Sequence, residues 1–230
     1  MFGDYELGEF ELEHSGVKIE VRRAGVGYRY RRGNFSRLLL ASSGTMIINP
    51  VEPVNLPKSV TNYLMIELSE EVVVPPKGIG LVYLTFPVEI GVILSDGGAY
   101  EVVDVFSFVK PKYALYGEPS RGIICRYWRS DVYSEQPERD RLREGVLELR
   151  VVNGSDEWQK VRKVVMNVYD MKIYYNDDIV MSFGYVRIVS STVAETGFTE
   201  GKFEGKKSVE LYTARKLPIV KKKFFMEWGI

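Results

Sequence analysis

Two short segments carry the residue types best suited to binding chemistry. The first is the run Gly122-Ile123-Ile124-Cys125-Arg126-Tyr127-Trp128-Arg129. Arg126, Trp128 and Arg129, with Asp131 close behind, put guanidinium groups, a large aromatic face and a carboxylate within a few positions. Arg and Trp are the types that most often dominate binding hot spots. If the segment is a strand, Arg126 and Trp128 share one face and Tyr127 and Arg129 the other. The competing use is structural, with the arginines paired to nearby acids and the Trp capping a domain interface. The second segment runs from Arg22 to Arg32, with Tyr28, Tyr30 and Arg32 alternating against Arg29 and Arg31. Tyr28 and Tyr30 beside Arg29 have the chemistry of a single-strand stacking platform. The acids Glu9, Glu11 and Glu13 and the formal net charge of zero weaken that field, so nucleic acid is disfavoured.

The remaining reactive side chains are better explained without catalysis. His14, the single histidine, stands beside Ser15-Gly16 and reads as a turn residue; one histidine rules out a multi-His zinc site. No Gly-x-Ser-x-Gly elbow, P-loop or Rossmann glycine pattern is present. Cys125, the single cysteine, excludes an intramolecular disulfide and follows apolar neighbours, as a buried small hydrophobe does. Asp177-Asp178 and the group Glu135, Glu138 and Asp140 lack calcium-loop spacing, and Asn176-Asp177-Asp178 reads as a turn. No catalytic residue, metal ligand or cofactor is assigned. Paired carboxylates of the glycosidase kind stay open, because their pairing is spatial and leaves no spacing in sequence.

The elements that must hold these residues are strands. Phe10 and Leu12 alternate with glutamates, and Val17, Ile19 and Val21 with charged residues. Ser15-Gly16 between them suits a hairpin turn, and Tyr5 and Leu7 fall out of phase across Gly8, as a bulge there would cause. Three prolines between Asn49 and Pro57 keep that stretch extended or looping. Further strands are expected at 62–68, 81–86, 89–94, 172–175, 185–189, 209–213 and 223–228. Over 155–168 a helical spacing of Trp158, Val161, Val165 and Val168 competes with β-branched valines after an Asn153-Gly154 turn, and strand is preferred. The fold class expected is all-β (mainly β), as two β-sandwich-like antiparallel domains with little helix. The divisions expected are an N-terminal domain over 1–108, a connector with a strand and a charged loop over 109–145, and a C-terminal domain over 146–230.

Several longer phrases resemble an archaeal family of uncharacterised proteins, domain of unknown function four hundred and thirty-two. They include Tyr28-Arg29-Tyr30-Arg31-Arg32-Gly33-Asn34, Ile48-Asn49-Pro50-Val51-Glu52-Pro53-Val54-Asn55-Leu56-Pro57, Cys125-Arg126-Tyr127-Trp128 and Met171-Lys172-Ile173-Tyr174-Tyr175. The resemblance spans nearly the whole chain. It implies an archaeal, cytoplasmic protein and brings no catalytic residue or cofactor. The start has no signal-peptide pattern, and apolar runs fall short of a membrane span. The leading expectation is a non-enzymatic binding or assembly module, contacting a protein partner or a second copy of itself through Arg126, Trp128 and Arg129. The rivals are a carboxylate- or metal-dependent enzyme on a β scaffold and a single-stranded nucleic-acid binder through Tyr28, Arg29 and Tyr30.

Overall fold

A computed structural model describes residues 1–57, 59–211 and 223–230. The fold is all-β, with four sheets that group in two pairs through their side-chain contacts. The first sheet orders β1 (Gly3–Glu6), β6 (Thr45–Val51), β9 (Glu89–Ser95) and β10 (Tyr100–Phe106). The second is a meander of β2 (Phe10–His14), β3 (Val17–Ala24), β4 (Gly27–Arg32) and β5 (Phe35–Leu39). Their facing residues, Ile19, Val21 and Tyr30 against Met46, Ile48 and Val92, are buried in one core. Asp104 of β10 ties the pair: it accepts from Tyr30 Oη at 2.8 Å and from Arg32 Nε at 2.6 Å.

The third sheet orders β11 (Tyr113–Tyr116), β12 (Ile123–Ser130), β7 (Tyr63–Val74) and β14 (Gln159–Asn167). The fourth is built on β8 (Ile79–Pro87), β13 (Glu144–Asn153) and β16 (Val180–Ile188). Along the free edge of β16 lie β15 (Tyr174–Tyr175), which pairs β18 (Lys206–Lys207), and β17 (Ala194–Thr199), which pairs β19 (Phe224–Met226). Leu64 and Ile66 of β7 share the core with Leu84, Leu147 and Leu149 of the fourth sheet. No helix among the described residues is long and apolar enough to cross a membrane.

Most ladders are antiparallel, but β12 with β7 and β13 with β16 are parallel. Parallel neighbours need long crossovers, and here the intervening chain builds other strands. The expected divisions at 108 and 145 do not coincide with the sheets. Strands β7 and β8 lie between β6 and β9 in sequence, yet they ladder with β12, β13 and β14. Residues 109–145 supply β11 and β12 to the third sheet.

Alternation located most strands, including the one at 155–168, and the departures are local. The phase change at Gly8 is not a bulge: β1 pairs β6 in one sheet and β2 pairs β3 in the next, so the chain changes sheets there. The segment preferred as a strand at 155–168 is β14, and its mixed spacing reflects a register shift between Val161 and Lys163. Of the stretch expected at 209–213, Val209 and Glu210 are not in a strand, and 212–213 lie outside the described residues.

Candidate functional site

Strand β12 runs along the seam between the two pairs of sheets, and its side chains divide into a buried part and a surface part. Arg126 is only 1% exposed and is the largest fully buried side chain in the described core. It does not lie on the surface where the sequence suggested it. Its guanidinium carbon is 5.9 Å from the centre of the Tyr113 ring. Glu89, at the start of β9, is fully buried nearby; Arg126 acts on it through space, with no N–O approach within 4 Å. Glu89 Oε2 accepts from the Asn55 amide at 2.8 Å, and Tyr113 Oη donates to the Leu56 carbonyl at 2.5 Å. The proline-rich loop is therefore drawn into the seam. Its two prolines, Pro53 and Pro57, reduce the number of backbone donors that burial would leave to satisfy.

The electrostatics of this seam are costly. Nε and Nη1 of Arg126 and Oε1 of Glu89 are buried with no hydrogen-bond partner among the described residues. Burial pushes Glu89 up to about 7, and neither the Asn55 amide nor the Arg126 charge offsets it. Burial likewise holds Arg126 below the usual guanidinium value. The desolvation of two charges outweighs their mutual attraction here.

Two residues farther along, the strand reaches the surface. Trp128 is half-buried, and its Nε1 donates to Thr85 Oγ1 at 2.9 Å, which fixes the indole against β8. Thr85 is held in turn, its amide donating to Ser130 Oγ at 2.7 Å. Beside it Tyr133 makes a two-way backbone bridge to Tyr83 at 2.8 and 2.9 Å. The Arg139 guanidinium lies over the Tyr133 ring at 4.9 Å and also donates to its hydroxyl. Trp128, Arg129, Asp131, Tyr133, Arg139 and Glu144 line a shallow depression of about 420 Å³. Arg129 is exposed and has no ion-pair partner within 4 Å among the described residues.

The second segment divides in the same way. Tyr30 is fully buried between the sheets, and burial beside Asp104 raises its phenol above the ordinary tyrosine value. Tyr30 therefore offers no face for base stacking, while Tyr28 is half-buried and Arg29 exposed. Cys125 is buried, with its thiol pushed up to about 12 by burial alone. His14 is exposed, with the Phe108 ring 6.1 Å away. Among the described residues no three His, Cys, Asp or Glu side chains converge as a metal-ligand set.

Sequence reasoning missed Glu89, Asp104, Tyr133 and Arg139. The first two carry a signal: each is a lone acid inside an apolar run, Val88-Glu89-Ile90 and Val103-Asp104-Val105. A lone charge in such a run is buried with its neighbours and must find partners across sheets. Tyr133 and Arg139 sit in loop, where alternation says nothing.

No curated protein and no solved structure matches the chain. The model of the family described as "Protein of unknown function (DUF432)" matches residues 1–227, and the chain belongs to that family.

Proposed function

We propose that this protein is a non-enzymatic binding module that contacts a protein partner through the depression around Trp128 and Arg129. One observation carries the reading: a fixed aromatic and guanidinium cluster lies beside an unpaired arginine. Trp128 is locked by Thr85, and Arg139 is stacked on Tyr133. Groups held in place before contact lose little conformational freedom on binding. Arg129 adds a charge free to meet a carboxylate. Arg126 belongs behind this surface, as a buried support of the strand that presents Trp128. The nucleic-acid rival loses one of its two rings with the burial of Tyr30.

The test is affinity capture with full-length protein, followed by reconstitution of the complex from purified components. Trp128→Ala should weaken the reconstituted complex by about thirtyfold, the effect of losing a hot spot worth roughly 2 kcal/mol. Arg129→Glu, a wholly surface change, should weaken it comparably while leaving the unfolding midpoint unchanged. A complex that binds both variants as tightly as the parent rules the patch out. Light scattering on the purified protein identifies the case in which the partner is a second copy.

A further inference from the structure

Where β3 turns into β4 and β5 leaves the second sheet, three aliphatic side chains stand in the open. Val26, in the turn, is 86% exposed; Leu40 is 76% and Leu38 46% exposed. They are neighbours. Ala24 pairs with Gly27, Tyr28 with Leu39 and Arg29 with Leu38. A Cβ on Gly27 would stand 2.1 Å from the Leu39 carbonyl oxygen and 3.2 Å from Leu40 Cα. Leu40 therefore lies directly against the Val26 turn.

Arginines predominate around these residues, with Glu9 beside Arg23 and Glu20 across from Arg31. Arg23, Arg29 and Arg31 are exposed, and none has an ion-pair partner within 4 Å among the described residues. The cations closer to β2 are already matched: Arg22 with Glu11 at 2.8 Å, and Lys18 with Glu11 and Glu20 at 3.0 Å. Glu9 accepts from the Arg23 amide at 2.9 Å. Acids and bases toward β2 thus offset one another, while Arg23 and Arg29 stand free beside the apolar tip and Arg31 lies two positions farther along β4.

We infer that this tip docks on an anionic lipid surface, with Val26 and Leu40 entering the acyl boundary and Arg23, Arg29 and Arg31 meeting headgroup phosphates. Aliphatic tips beside Lys or Arg are the composition that binds such interfaces, adding apolar burial to electrostatic attraction. A turn is convex, and a fluid bilayer accommodates it without a matching groove. Nucleic acid fits less well, since the exposed groups have no π-face and Tyr30 is buried.

The test is co-sedimentation of the full-length protein with phosphatidylcholine vesicles, with and without phosphatidylserine. Binding is expected only where phosphatidylserine is present, and it should weaken as salt is raised. Val26→Asp with Leu40→Asp should abolish it, and Arg29→Ala with Arg31→Ala should weaken it about thirtyfold. All four changes are on exposed side chains, and thermal unfolding of each variant checks that the fold is kept. No binding by the parent protein to the anionic vesicles overturns the inference, as does binding indifferent to Val26 and Leu40. Two further results also overturn it. One is single-stranded oligonucleotide binding that is lost with the arginines while vesicles are ignored. The other is a parent dimer, with no vesicle binding, that Val26→Asp with Leu40→Asp converts to a monomer.

Discussion

Glu89 is a carboxyl whose burial opposes its own charge. Its folded-state value of about 7 lies above the ordinary 4.5, so the folded protein holds this proton more tightly than the unfolded chain. The stability it contributes is fully present below about pH 4.5, is lost as pH rises from there through about 7, and does not return above it. The loss is on the order of 3 kcal/mol. Replacing Glu89 by Gln removes the titration. The difference in urea-unfolding free energy between Glu89→Gln and the parent should therefore shift toward the variant by about that amount between pH 5 and 8. A difference that stays flat over this range would show that the carboxyl is not desolvated as described. Residue types alone could not reveal this, because Glu89 and Arg126 are 37 positions apart and their meeting depends on two sheets. The phrase around each was visible; the encounter was not.

Strands were the most legible level. The Asn153-Gly154 step was read as a turn, but the side chain does more than turn the chain. Asn153 is buried; its Nδ2 donates to the carbonyls of Val74, Pro75 and Glu157 at 3.2, 2.9 and 2.8 Å. Its Oδ1 accepts from the amide and hydroxyl of Ser155 at 2.9 and 2.8 Å. One amide thereby clamps the β7–β8 connection to the β13–β14 connection. Asn153→Ala should cost about 2–4 kcal/mol, since it leaves several buried backbone acceptors unpaired. The urea midpoint should fall with little change in slope; a loss below about 0.5 kcal/mol would mean that the clamp is idle. The apolar run of β9, buried on both faces, was legible as a strand, and alternation found β2 and β3 closely because each has a clear inner face. It placed β7 six residues too short at its C-terminal end, because Ser69, Glu70 and Glu71 form the exposed side of the register shift opposite Arg162. Polar residues there look like a loop in sequence, though the strand runs on through them and pairs again from Val72.

At the scale of the whole molecule, the order of strands in sequence differs from their order in space. A piece ending at residue 108 would carry β7 and β8 without β12, β13 and β14, leaving Leu64, Ile66, Leu84 and Phe86 without their cover. Expressed alone, residues 1–108 should show no cooperative thermal transition and should sediment as aggregate, whereas the full chain should melt in one step; a soluble fragment with a sharp transition would contradict this. Period-two patterning reports which face of a strand is wet, and it is silent on which strand lies beside it. Neighbour choice was therefore the part of the fold that sequence left unread. The placement of β7 and β8 also has a consequence in time. A ribosome delivers these two strands well before the strands that pair with them. At ordinary elongation rates the delay is several seconds, during which exposed edges invite mispairing. Completing the first pair of sheets early leaves the second waiting on the last third of the message. The nascent chain is thus most in need of shielding midway through its synthesis, before either end of the finished protein could show why.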